Sequence, residues 1–271
     1  MIAPPYDSRS RPNLRRLTHR QKSWARGNQG EAGKILDLVR PGQRDSAPLG
    51  ESETVTLERS AEVAASRLKR LVDICGSAIG LALLAPWFLV IALLVKSDSP
   101  GPAFFVQTRI GRNGKPFRLY KFRSMREGND SAIHRNFVSE LIRGESEKLR
   151  GRGGSFKIER DPRVTKLGST LRRTSLDELP QLINVLRGEM SLVGPRPPLQ
   201  YEVDLYSPYH MRRLEATPGI TGFWQINGRT ERSFSEMVDL DIYYIDNWSL
   251  WFDIKILFRT IFVVLNRKGA W

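Results

Sequence analysis

Between Ile74 and Val95 the chain runs for 22 residues without a charge, ICGSAIGLALLAPWFLVIALLV, and no other stretch limits its fold as strongly. That length suffices for one helix to cross the hydrocarbon core of a bilayer. Two details argue against a simple crossing. Basic residues flank both ends, Arg67, Lys69 and Arg70 before and Lys96, Arg109 and Arg112 after, so positive charge selects no outward end. Pro86 stands near the middle, where its missing N–H favours a bend. A helix that dips into one leaflet and returns satisfies both.

The rest of the 271 residues divides around this stretch into a basic arm over 1–60, a membrane-associated helix within 61–98 and a cytoplasmic domain over 99–271. The arm is rich in Arg, Pro, Ser, Gly and Gln without a sustained period, which predicts disorder. Its first 26 residues carry seven basic side chains against Asp7 alone, a charge suited to an anionic leaflet or to a soluble tail. An amphipathic helix around Leu57 to Leu71 is expected to lead into the membrane segment. No secretory signal is expected, because the first apolar run begins far from the N-terminus. The net charge of +14 calls for an acidic partner: nucleic acid, anionic lipid or a phosphorylated substrate. A single cysteine, Cys75, precludes an internal disulfide and suits a reducing compartment.

Two adjacent carboxylates, Asp177 and Glu178, lie among cations. Arg163, Lys166, Arg172 and Arg173 precede them, and Gly194-Pro195-Arg196-Pro197-Pro198 follows as a rigid turn holding one guanidinium. Ser175 with Glu178 three residues on reads as a capping box, so a helix is predicted from Leu176 to a left-handed stop at Gly188. Both carboxylates would then stand in the positive field of a helix start. Guanidinium fits phosphate oxygens bidentately, whereas two carboxylates repel them. An enzyme that brings these groups together needs either a divalent metal between them or attack by a carboxylate on phosphorus. Both are phosphoryl chemistry.

Further elements are legible. Ala103 to Arg109 and Pro116 to Phe122 around Asn113-Gly114 predict a β-hairpin, with Lys121 and Arg123 directed to one side. A helix is expected over Ser131 to Leu149, a short strand over Phe156 to Ile158, and one or two helices broken near Pro208 between Tyr201 and Ala216. Trp248 to Trp271 reads as an amphipathic helix able to lie in the headgroup plane, or as a core helix with a charged outer face. Asp239-Leu240-Asp241 has the form of a metal-binding D-x-D. On a helix, however, residues two apart point about 200° apart, so a structural role is expected. There is no Walker A sequence and no G-x-S-x-G, and His19, His134 and His210 are isolated. Any metal is therefore expected to have oxygen ligands, as Mg²⁺ or Mn²⁺ do.

The run LRRTSLDELPQLINVLRGEMSLVGPRP, together with YKFRSM at 120–125, DPRVTKLG at 161–168 and TPGITGFWQINGR at 217–229, resembles the bacterial sugar transferases, the monotopic phosphoglycosyl transferases. The likeness covers about Arg67 to Trp271 with the motifs in order. It implies a mainly α, α+β fold with a re-entrant helix, a small β-hairpin and an interfacial C-terminal helix, at the cytoplasmic face of a bacterial inner membrane. It implies transfer of a hexose 1-phosphate from a UDP-sugar to polyprenyl (undecaprenyl) phosphate, with Asp177 as nucleophile, UMP released, and surface-glycan synthesis begun.

In that reading Glu178 holds metal with Asp177 or positions the acceptor. Arg172, Arg196, Lys121 and Arg123 stabilise charge, Arg163 joins them, and Gln225 and Arg229 lie at the wall of the site. The partners are the UDP-sugar, the polyprenyl phosphate and anionic lipid, with no nucleic acid. Self-association is compatible with this. Two rivals stand beside it: a membrane-bound glycosyltransferase using Asp239 and Asp241 and releasing UDP, and a non-enzymatic basic protein tethered to the membrane.

Overall fold

The computed structural model describes residues 66–126, 132–142, 161, 163–228 and 233–265. The basic arm, the strand expected at Phe156 to Ile158 and most of the helix expected from Leu57 lie outside the described residues. Helix α1, Arg67–Asp98, is capped by Ser66, whose Oγ accepts the Lys69 N–H at 3.3 Å. It runs 32 residues and continues through Pro86 rather than dividing there. Its buried residues fall into two groups. Lys69, Asp73 and Ser77 form a stripe one turn apart, while Ile91 and Val95 lie near the far end. No residue of α1 between these groups is buried.

The hairpin forms as its sequence predicts. Strands β1, Phe104–Ile110, and β2, Pro116–Phe122, pair antiparallel from Phe104 opposite Phe122 to Ile110 opposite Pro116, and Asn113 takes a left-handed conformation in the turn. Helix α2, Ala132–Ile142, covers the first part of the helix expected there. Helix α3, Lys166–Thr174, leads through a 3₁₀ turn, Leu176–Glu178, to α4, Gln181–Arg187. Gly188 ends α4 in the left-handed region, as expected. Strand β3, Ser191–Val193, then pairs parallel with β4, Gly219–Thr221, a second small sheet the sequence did not reveal. Between them lie two single-turn helices, α5, Gln200–Val203, and α6, Pro208–Met211, the latter opened by Pro208 at its first position. Helices α7, Phe223–Ile226, α8, Phe234–Asp246, and α9, Leu250–Leu265, complete a mainly helical α+β fold.

Helix α1 is the base on which the rest is assembled. Ile91 and Val95 form a core cluster with Phe122 of β2 and Leu171 of α3, joined by Phe88, Ala92, Leu167 and Leu179. Phe122 stacks on Phe104 at 5.2 Å and meets the tilted ring of Phe88 at 5.4 Å. Truncating so enclosed an aromatic ring costs about 3–5 kcal/mol. Nearer the start of α1, Gly76 and Gly80 allow Leu192 and Leu182 to approach the helix backbone; a Cβ at Gly76 would press into the Leu192 side chain.

Polar contacts fix the start of α1. Lys69 Nζ donates to Asp253 of α9 at 2.6 Å, to the Val193 carbonyl at 3.0 Å and to the Tyr244 hydroxyl at 3.3 Å. Asp73 accepts the Leu192 N–H at 2.8 Å and the Ser191 hydroxyl at 3.0 Å. Arg70 covers the end of α4 by donating to the carbonyls of Val185 and Leu186 at 2.6 and 2.8 Å. The outward surface of α1 is apolar. Ile79, Leu83, Trp87, Leu89 and Leu93 are exposed, as are Phe104 and Phe105 of β1 and Trp251, Phe258, Ile261 and Phe262 of α9. So much apolar surface is uncommon on a protein surrounded by water. Among the described residues α1 alone is long and apolar enough to cross a membrane.

Candidate active site

The turn carrying Asp177 and Glu178 is built differently from its sequence signature. Ser175 takes φ 57° and closes α3, and its side chain makes no cap bond. An N-cap needs extended backbone to aim its hydroxyl at the following N–H groups, and a left-handed residue cannot do this. The capping box therefore does not form. The Glu178 N–H bonds the Ser175 carbonyl at 3.2 Å instead, and α4 begins only after Pro180. Glu178 is half-buried and Asp177 buried at 7% exposure. Leu179, next in sequence, packs into the α1 cluster, so the turn rests directly on the apolar helix.

Two cations meet this turn, Lys121 and Arg172, while Arg163 lies beside Arg172 and Arg196 beside Arg109. Lys121 Nζ of β2 lies 2.7 Å from Glu178 Oε1. Arg172, on the last turn of α3, has Asp177 and Asp161 as its principal opposite charges, although burial still lowers its pKa. Arg163 is held by Asp161 through two contacts, at 2.8 and 2.7 Å, and those hydrogen bonds keep the Asp161 carboxyl below the usual carboxylate range. Arg196 belongs to the Gly194–Pro198 turn, which β1 holds in place: Ile110 N–H donates to the Pro198 carbonyl at 2.9 Å and Arg109 to that of Pro197 at 3.0 Å.

Arg109, to which the sequence reading gave no part in the site, stands behind the Pro-Arg-Pro turn and also donates to Gln107 Oε1. It is buried, and burial first and Arg196 second pull its pKa down to about 10, so it stays cationic at neutral pH. Two guanidiniums thus repel each other beside the turn, with Glu178 and Glu202 partly compensating. An incoming anion would relieve that repulsion. The available signal was its place at the end of a strand facing a Pro-Arg-Pro turn, which the hairpin alone does not disclose.

Backbone contacts join the motifs. The Arg126 N–H donates to the Arg163 carbonyl at 2.9 Å and Thr165 N–H to that of Ser124 at 3.2 Å, so the segment after YKF pairs with DPRVT. Gly168 lies against the Ser124 backbone with no room for a Cβ. Gly194, Gly219 and Gly222 pack backbone to backbone across β3 and β4 in the same way, which explains why Gly-Pro-Arg-Pro and Thr-Pro-Gly-Ile-Thr-Gly form one unit.

Other expected residues have different neighbours. Arg123 and Lys121 do not point together, because Arg123 lies past the end of β2. Its guanidinium donates to the carbonyls of Val95, Ser99 and Pro100 and so caps the end of α1. Gln225 donates to the Ile220 carbonyl at 3.2 Å within its own loop, while its Oε1 is buried without a partner among the described residues. Arg229 lies outside the described residues. Asp241 is buried against Arg213 at 2.8 Å, burial raising its carboxyl to about 6, whereas Asp239 accepts the Tyr209 hydroxyl at 3.0 Å. These two aspartates serve separate contacts, as expected for a helix.

Among the described residues no three His, Cys, Asp or Glu side chains cluster as a metal cage. Two adjacent carboxylates beside arginines suit Mg²⁺, which commonly takes one or two carboxylates and completes its shell with water and substrate phosphate. The donor set therefore fits Mg²⁺ or Mn²⁺.

The pattern of the bacterial sugar transferases matches residues 64–267. The chain belongs to this family. Over 203 residues the chain is 46% identical to the galactosyl transferase CpsE of Streptococcus agalactiae, covering 74% of this chain and 43% of that protein. It is 41% identical to the exopolysaccharide production protein ExoY of Rhizobium meliloti over 203 residues, 75% and 88% of the two chains. It is 43% identical to the UDP-glucose:undecaprenyl-phosphate glucose-1-phosphate transferase of Escherichia coli over 213 residues, 75% and 41%. The match thus spans less than half of the Streptococcus and Escherichia relatives and most of the Rhizobium one.

Proposed function

We propose that this sugar transferase moves a hexose 1-phosphate from a UDP-hexose to polyprenyl phosphate by way of a covalent aspartyl intermediate. One Asp177 oxygen attacks the sugar-bearing phosphorus, the bond from that phosphorus to the bridging oxygen breaks, and UMP leaves with that oxygen. An oxygen of the polyprenyl phosphate then attacks the same phosphorus and expels the Asp177 carboxylate. The product is a polyprenyl diphospho-sugar. The observation that carries this reading is the buried Asp177 carboxylate, flanked by Arg172 and seated through Leu179 on the apolar helix. The names of the relatives, with UDP-glucose and undecaprenyl phosphate as substrates, support the same substrate classes.

Arg172, Arg196 and Arg109 spread positive charge where the diphosphate would lie and stabilise the equatorial oxygens during transfer. Lys121 orients Glu178 and lends it a countercharge. When bound, Mg²⁺ held by Asp177 and Glu178 would supply further neutralisation of the diphosphate. Arg123 acts here by position, since it secures the helix beneath the turn.

The acceptor explains the membrane helix. A polyprenyl chain leaves the bilayer only at about 0.8 kcal/mol per exposed CH₂, so the reacting turn must come to the headgroups. Both ends of α1 bind the same folded unit: Lys69, Arg70 and Asp73 at the start, and Val95 and the Arg123 cap at the end. A crossing helix would separate its ends by the roughly 30 Å hydrocarbon core. We therefore read α1 as re-entrant, with its middle in one leaflet, and α9 as lying in the interface of the cytoplasmic face.

The test is incubation with UDP-hexose labelled in the sugar and no acceptor. Label retained by the protein with release of UMP, and neither seen with Asp177→Asn, is the expected outcome. Release of UDP instead would overturn the reading and favour a glycosyltransferase.

A further inference from the structure

A cavity of about 640 Å³ opens where the start of α1, the hairpin turn and the end of α4 meet. None of Asp177, Glu178, Lys121, Arg172 or Arg196 lines it. Asp177 lies in the 3₁₀ turn before α4 and Arg187 is the last residue of α4, so this cavity is separate from the reacting turn. Six cations face it, Arg67, Lys69, Arg70, Arg112, Lys115 and Arg187, against Asp73 and Glu189.

The acids are already committed. Asp73 accepts from Leu192 and Ser191, and Glu189 accepts the Asn184 amide at 2.7 Å. Lys69 is matched by Asp253, and Arg70 and Arg187 donate to carbonyls and to the Tyr120 hydroxyl. Arg67, Arg112 and Lys115 have no side-chain ion pair or hydrogen bond among the described residues, and Arg112 Nε is buried without a partner. A buried donor left unmet is costly, and grouped cations repel one another unless an anion joins them. The 32-residue α1 also begins here with no acid in its first turn, so its positive end adds to the same field. Phe117, Met190 and Ala216 give the cavity an apolar side.

From this we infer that the cavity is a second anion site that takes a phosphate-bearing ligand. The chemistry is that of a phosphate mono- or diester, available either as a lipid headgroup beside α1 or as a free phosphate compound. The site is independent of the transfer reaction, and its test does not use activity.

The full chain in neutral maltoside detergent is titrated with dihexanoyl phosphatidylglycerol and, separately, with inorganic phosphate, while thermal unfolding is followed. A ligand held by the native state raises Tm by mass action. At least one probe is expected to raise Tm in the wild type and equally in Asp177→Asn. The apparent affinity should be at least tenfold weaker in Arg112→Gln/Lys115→Gln and weaker again with Arg67→Gln added. A response to the lipid alone identifies a headgroup site, and a matching response to phosphate identifies the free ion as sufficient. An equal response of wild type and the Arg112/Lys115 variant, or no response of the wild type to either probe, overturns the inference. Since these side chains are exposed or half-buried, the unliganded Tm should hold and report that each variant is folded.

Discussion

Lys69 Nζ lies 2.6 Å from Asp253 Oδ2, joining the first turn of α1 to the first turn of α9 across 184 residues of sequence. Both side chains are nearly enclosed, and the Tyr244 hydroxyl donates to the same carboxylate at 2.7 Å while Trp248 Nε1 donates at 3.1 Å. The two helices with the largest exposed apolar faces are thus held to one polar cluster. Removing one partner of such a pair leaves a charge without compensation. Lys69→Met is expected to destabilise the protein by about 3–5 kcal/mol, seen as a lower Tm and poor yield, whereas Lys69→Met with Asp253→Leu should recover part of the loss.

A re-entrant α1 places both of its ends on one side of the membrane. With Cys75 replaced by Ser, single cysteines at Ser66 and Ser99 should both react with an impermeant maleimide in inverted vesicles and neither in intact spheroplasts. Reaction of the two positions from opposite sides would show a crossing helix.

The Lys121–Glu178 pair is a separate matter, because both side chains are partly open to solvent. Such pairs contribute at most about 1 kcal/mol to folding. Lys121→Gln should therefore leave Tm almost unchanged while lowering kcat/KM for the UDP-sugar about 100-fold, the size of effect seen when one preorganised donor is removed. A large fall in Tm with kcat/KM intact would make Lys121 a purely structural residue.

His210 gives a pH signature. Its Nδ1 accepts the Ser207 N–H at 3.3 Å, and burial, then Arg213, lower its pKa below the ordinary value near 6.5. The unfolded chain therefore takes up a proton first as pH falls. The stabilisation is present above about pH 6.5 and is lost progressively as the pH falls below it. Comparing Tm at pH 7.5 and 5.5 for wild type and His210→Gln should show a smaller fall in the variant.

These contacts also mark what a sequence can disclose. The apolar run of α1, the Asn-Gly hairpin and the Gly188 stop are set by local pattern and turn chemistry, and all three appear where expected. Ser175 to Glu178 had the right residues for a capping box, yet the chain must reverse between α3 and α4. Ser175 takes the left-handed conformation that turn requires, and the cap is lost. The pairing of β3 with β4 depends on segments 28 residues apart meeting through close glycine backbones, and the placing of Arg109 behind Arg196 on segments 87 residues apart meeting through bonds to the Pro197 and Pro198 carbonyls. No local period carries that information. Arg123 was legible as a motif residue, but its attachment to the end of α1 depends on where a distant helix stops.

The most direct test of the central claim is the intact mass of the full chain after brief exposure to UDP-hexose with Mg²⁺ and no polyprenyl acceptor. A gain equal to one hexose phosphate, mapped to the peptide holding Asp177 and discharged on adding polyprenyl phosphate, is the predicted result. An unmodified wild type that nonetheless turns over, or an Asp177→Asn variant with undiminished turnover, would contradict it.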